Sequence, residues 1–167
     1  MEHLLPKAER VGALLKARGE TVAVSESSSG GLVSAALLSV PGASAFFMGG
    51  AVVYTGVARS ALLGIGPAEM AGIRSASEPY AMLLAQTLRA RFGTSWGIAE
   101  TGAAGPSGNS YGDAAGHACL AISGPVERVM TLETGQSARV ANMRIFAAGL
   151  LDLLTEALEP GIDPSFS

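Results

Sequence analysis

A run of hydroxyls beside one carboxylate, Ser25-Glu26-Ser27-Ser28-Ser29-Gly30-Gly31, is the most chemically suggestive segment of this 167-residue chain. A serine can act as a nucleophile, and neighbouring glycines let a ligand approach the backbone closely. The segment falls between a strand pattern and a helix pattern. The unsatisfied N–H groups of a helix start would then face the serines and could take an oxyanion or a phosphate. An ordinary serine N-cap within a solubilising run accounts for the same residues. The segment is neither a nucleophile elbow nor a P-loop, since no lysine follows the glycines.

A second segment, Thr101-Gly102-Ala103-Ala104-Gly105-Pro106-Ser107-Gly108, follows another strand pattern. Two Gly-rich loops beyond strand ends point to one crevice at the carboxyl edge of a sheet, although a flexible connection would look the same. Glu26 and Arg59 bound a stretch from Ser27 to Ala58 that holds no Asp, Glu, Lys or Arg, and Glu100 precedes the second loop. Charges this isolated are candidates for a site; each could also be a solvated surface charge.

The elements that would position these residues alternate in period. Leu4, Ala8, Val11 and Leu15 recur at helical spacing, with Gly19 as the stop. Thr21–Val24 reads as a strand, and a small-residue helix runs from Ser29 to about Ser39, ended by Pro41-Gly42. Gly50–Thr55 reads as a buried strand, Arg59–Leu63 as a short helix, and Pro67 as the first turn of another. Ser77-Glu78-Pro79 starts a helix reaching about Arg91. Strands follow at Ser95–Ala99, Gly116–Ile122 and Arg128–Glu133, the last two turning at Gly124-Pro125, and a long helix spans about Ala138–Ala157. This order predicts an α/β fold, a three-layer α/β/α sandwich with a mixed sheet. Residues 1–160 form a single domain, and 161–167 a frayed tail.

Composition excludes several classes. Only 15% of residues are charged, 49% are hydrophobic, and the net charge is −3. A chain this apolar is not disordered, and it lacks the basic surface that nonspecific nucleic-acid binding needs. The uncharged stretch is cut by Pro41-Gly42 and by glycines and serines, so two buried elements fit it better than a membrane span. Met1–Glu20 mixes charged and apolar residues, unlike a signal peptide. The single Cys119 cannot form an internal disulfide, and a reducing cytoplasm is the expected location. Two histidines and one cysteine are too few to specify a metal site, and His117 and Cys119 read as structural.

The motifs Glu26-Ser27-Ser28-Ser29-Gly30-Gly31, Pro41-Gly42-Ala43-Ser44-Ala45, Val53-Tyr54-Thr55 with a basic residue five beyond the tyrosine, Leu63-Gly64-Ile65, Ser77-Glu78 and Thr101–Pro106 occur in that order. Together they resemble the C-terminal domain of the competence-damage-inducible protein CinA, whose stand-alone form is the nicotinamide-nucleotide amidohydrolase (NMN deamidase). The resemblance covers roughly residues 5–157. It implies a domain that hydrolyses the carboxamide of nicotinamide mononucleotide to the acid and ammonia. It also implies no metal or organic cofactor, no nucleic-acid or membrane partner, and a homo-oligomeric assembly.

In that family a serine, a tyrosine and a lysine form the catalytic group. The resemblance assigns the serine to Ser27 and the tyrosine to Tyr54, and adds Ser44 as a further site residue. It assigns substrate binding to Glu26, Ser28, Ser29, Gly30 and Gly31 and, from the second loop, to Thr101, Gly102, Ala104 and Gly105. The chain departs from the pattern at Ser28-Ser29, where the family has Cys-Thr, and at Ala114-Ala115-Gly116-His117-Ala118, which keeps only the glycine of a Pro-Val-Gly-Thr-Val start. The weightiest departure is Arg59 at the lysine position. A lysine desolvated in a pocket can lose its proton and activate a serine; an arginine stays protonated. Arg59 could still hold a phosphate or an oxyanion. The proton of Ser27 would then pass to another group, Tyr54 beside Arg59 being the candidate, or the domain binds nucleotide without hydrolysing it.

Overall fold

The computed structural model describes residues 1–159, so the tail expected at 161–167 lies outside the described residues. Helix α1 (Leu5–Arg18) carries Ala8, Val11 and Leu15 on its buried face and ends where Gly19 turns left-handed. Strand β1 (Val22–Glu26) leads through the serine run into α2 (Leu32–Leu38). A short 3-10 turn at Ala43–Ala45 precedes β2 (Phe47–Val52), and α3 (Gly56–Leu63) follows with Thr55 as its N-cap. Helix α4 (Glu78–Phe92) starts on the Ser77 cap, β3 (Trp96–Ala103) and the hairpin β4 (His117–Ser123) and β5 (Glu127–Glu133) come next, and α5 (Arg139–Leu158) closes the chain.

The five strands form one mixed sheet in the order β2-β1-β3-β4-β5, parallel across β2, β1 and β3 and antiparallel across β3, β4 and β5. Side chains alternate across its faces, as the strand period requires. Val22, Val24, Trp96, Ile98, Leu120 and Ile122 pack under α1, α2 and α5. Ala23, Ala99, Cys119 and Ala121 meet α4 and the end of α3. This is the three-layer α/β/α sandwich expected, in one domain. No helix among the described residues is long and apolar enough to cross a membrane.

Helices α2 and α3 start at Leu32 and Gly56, not at Ser29 and Arg59, and three further differences bear on the sheet and the site. Strand β2 begins at Phe47, three residues early, because the Gly49-Gly50 pair that reads as a boundary is held in register by Ala23 and Val24 of β1. Residues 67–72 form turns, not a helix. Strand β3 runs on through Ala103, so the first residues of the supposed second loop are paired with His117, Ala118 and Cys119. A Cβ at Gly102 would lie 2.3 Å from the His117 carbonyl oxygen, so glycine here serves strand pairing and not flexibility.

What fixes the β1–α2 connection is a pair of fully buried carboxylates, Glu26 at the carboxyl end of β1 and Glu100 beside it in β3. Glu26 accepts from the Val33 and Ser34 amides (2.8 and 2.9 Å), from Ser34 Oγ (2.7 Å) and from Ser29 Oγ (2.9 Å). Glu100 accepts from the Ser27 and Ser29 amides (3.0 and 2.8 Å) and from Ser28 Oγ, and lies 2.7 Å from Ser29 Oγ. The Ser29 hydroxyl has one proton and a carboxylate oxygen on either side. A proton on one carboxyl supplies the second bond. Burial pushes the Glu100 carboxyl above its usual range, and the donors from Ser28, Ser29 and Ser27 offset this only in part.

Replacing Glu100 by Ala strands several buried donors, and a loss of about 3 kcal/mol is expected in denaturant unfolding at neutral pH. Because the folded value lies above the unfolded value of about 4.3, the folded state holds the proton more tightly. The contribution of Glu100 is therefore most favourable at low pH and weakens as pH rises from there through the raised folded value. The stability of wild type relative to Glu100→Gln should fall across that window. A flat difference would show that Glu100 is not the titrating group.

Candidate active site

Beyond the carboxyl ends of β1, β2 and β3 lies a cleft of two adjoining lobes, each of about 290 Å3. Ser27 opens into the first lobe, whose walls include Tyr54, Arg59, Ala76, Tyr80 and Thr101. Ser28 opens into the second, walled by the Ala103–Gly108 segment and Arg139. Tyr54, Gly102 and Asn109 line both.

Each wall has a local cause. The Ser27 amide is tied down by Glu100, while among the described residues no hydrogen bond engages its hydroxyl. Tyr54 leaves the end of β2 as the chain turns into α3, and its hydroxyl accepts from Arg139 Nη2 at 3.1 Å. Arg139 Nη1 also donates to the Gly105 carbonyl, which clamps the Gly-rich segment to the start of α5. Arg59, one helical turn into α3, lies over the Tyr80 ring at 5.9 Å. Its Nε is buried without a hydrogen-bond acceptor. Tyr54 is thus held by Arg139, and it shares the first lobe with Arg59.

The first lobe is closed on one side by a strap, residues 74–77. Ala76 adopts φ 54°, the left-handed conformation that a residue with a Cβ rarely takes. Its carbonyl faces His117 Nε2 at 2.9 Å, while His117 Nδ1 faces Glu133 Oε1 at 2.5 Å. Two acceptors at the two ring nitrogens require a proton on each, so His117 is an imidazolium. Burial lowers its pKa, but the bonds to Glu133 and the Ala76 carbonyl, with Asp113 at 3.6 Å, leave it raised. Arg74 binds both carboxylate oxygens of Asp113, at 2.7 and 3.0 Å, joining the strap to the 109–113 turn.

The cleft therefore gathers Ser27, Ser28, Tyr54, Arg59, Thr101, Gly102, Ala104 and Gly105 from the expected set. It leaves out the others. Ser44 is exposed in the 3-10 turn before β2, at the opposite end of the sheet from Ser27. Glu26 and Ser29 are fully buried beneath the connection, bonded to each other and to α2. Gly30 and Gly31 turn the chain at φ 68° and 96° but line neither lobe. The helix start expected to hold an oxyanion has its Val33 and Ser34 amides on Glu26, so the protein supplies that anion itself.

Sequence reasoning missed Arg139, Ala76, Tyr80, Asn109 and Tyr111, which come from distant segments with no shared spacing. Only the scarcity of charge could have marked Arg139. Among the described residues, no group of three or more His, Cys, Asp or Glu side chains is placed to hold a metal ion.

Since the folded pKa of His117 is raised, its stabilising contribution is complete below the unfolded value of about 6.5 and is lost as pH rises through the folded value. Nitrogen-15 NMR should show the ring keeping both protons to a higher pH than a free imidazole does, and His117→Gln should remove this part of the alkaline loss of stability. Loss of the second proton at or below the free-imidazole range would contradict the assignment.

The family model of the CinA C-terminal domain matches residues 5–158. A CinA-like protein of Anaeromyxobacter sp. (strain K) is 42% identical over 153 residues, covering 90% of this chain and 37% of the relative. A CinA-like protein of Gloeobacter violaceus is 36% identical over 149 residues, 88% of this chain and 35% of that protein. The chain thus spans little more than a third of the length of these curated relatives. A solved competence or damage-inducible protein from Enterobacter asburiae superposes with a TM-score of 0.87 at 25% identity, over 93% of this chain and 98% of the other. The competence/damage inducible protein CihA from Agrobacterium tumefaciens gives 0.83 at 28% identity, over 93% and 94%. Sequence and fold agree: this chain belongs to the CinA C-terminal domain family.

Proposed function

We propose that this domain is an amidohydrolase of pyridine nucleotides, converting nicotinamide mononucleotide to nicotinic acid mononucleotide and ammonia. The observation that carries this reading is the meeting of Ser27, Tyr54 and Arg59 around one lobe. In this mechanism Ser27 Oγ attacks the carboxamide carbon, and its proton passes by way of Tyr54. The C–N bond breaks, ammonia leaves with the proton, and water hydrolyses the resulting ester to the acid. Arg59, in the wall of the first lobe, stabilises the oxyanion, while Arg139 and the Gly105 segment hold the phosphate. Among the described residues no Asp or Glu lines either lobe, which suits an anionic ligand. The reading places the domain in the cytoplasm, acting without a cofactor and as a homo-oligomer.

Arg59 also supports a second reading, a nucleotide-binding module with little or no turnover. Arginine cannot accept the serine proton, and general-base catalysis contributes roughly a hundredfold or more. Ammonia release from nicotinamide mononucleotide separates the two. The hydrolase reading expects slow release by wild type, none by Ser27→Ala, and a gain of about a hundredfold in Arg59→Lys. Release only after Arg59→Lys establishes the binding module. Undiminished release by Ser27→Ala removes Ser27 as the nucleophile.

A further inference from the structure

Arg59 and Arg139 are among the seven Lys and Arg residues that form no salt bridge within the described residues. Arg10, Arg18, Arg74 and Lys7 each meet a carboxylate, whereas among the described residues neither Arg59 nor Arg139 forms a salt bridge. One lies in each lobe, with no acidic side chain in either lining. In a chain of net charge −3 the cleft is therefore a local positive site. Arg59 Nε is moreover buried without a hydrogen-bond acceptor in the protein.

The chemistry at Arg59 discriminates an acid from its amide. A guanidinium only donates. A carboxylate accepts two parallel N–H bonds from it and neutralises its charge. A carboxamide offers one acceptor, and its NH2 group turns a second donor against the guanidinium. The positively charged pyridinium ring of the amide nucleotide adds like-charge repulsion, which the ring carboxylate of the acid cancels.

We propose that the cleft prefers the deamidated acid nucleotide over the amide, with the ring carboxylate on Arg59 and the phosphate on Arg139. This deepens the pyridine-nucleotide reading and rests on it. The domain then retains its product if it is a hydrolase, and reports the acid form if it is silent.

Calorimetric titration of the full chain with each mononucleotide tests this, using Ser27→Ala if wild type turns the amide over. The acid should bind about tenfold or more tightly, the usual worth of one charged hydrogen bond. Arg59→Gln should abolish that preference, Arg59→Lys should retain part of it, and Arg139→Gln should weaken both ligands alike. Circular dichroism confirms that each variant is folded. Equal or tighter binding of the amide by wild type overturns the inference and leaves the pyridine-nucleotide reading intact, as does a preference that survives Arg59→Gln. Binding of neither nucleotide overturns both.

Discussion

The fold places two carboxylates where a helix start would otherwise bind an anion, and the rest of the site is arranged around that choice. Glu26 at the carboxyl end of β1 and Glu100 beside it in β3 take up donors along the turn from Ser27 to Ser34. Buried polar groups left unpaired are costly, so this turn has little freedom to rearrange. Ser29 belongs to the network and not to the cleft. Its hydroxyl joins the two acids, and that arrangement needs a proton held between them. The outcome is a rigid floor on which Ser27 and Ser28 are the hydroxyls that reach the lobes.

With the helix start occupied, the positive charge of the cleft lies elsewhere. Positive charge comes from Arg59 on α3 and Arg139 on α5, elements on opposite faces of the sheet. Tyr54 bridges the lobes under the hold of Arg139. The strap at 74–77 completes the first lobe through a strained Ala76, kept in place by a charged His117 and by the Arg74–Asp113 pair.

Much of the architecture was legible because local signals agreed with the tertiary fold. Gly19 ends α1 and Ser77 starts α4, as their types demand. Two polar segments after strands did mark one crevice. Signals failed where pairing overrode composition: Gly102 and Ala103 read as loop yet are strand, and β4 approaches Gly102 too closely for a side chain there. Ser44 illustrates a different limit. Its place in a motif implied a site, but the short β2 carries it to the far end of the sheet from Ser27. Glu26 and the glycines were taken as binding groups because a linear motif cannot show which donors the protein satisfies internally.

The central claim is that internal carboxylates occupy the β1–α2 turn and so direct ligand anions to Arg59 and Arg139. A crystal structure of the full chain with nicotinic acid mononucleotide tests it most directly. The account predicts the ring carboxylate on the Arg59 guanidinium and the phosphate at Arg139, with the Ser27 and Ser29 amides still bonded to Glu100. A phosphate seated on the Ser29–Gly31 turn, with Glu26 or Glu100 displaced from its donors, would contradict it.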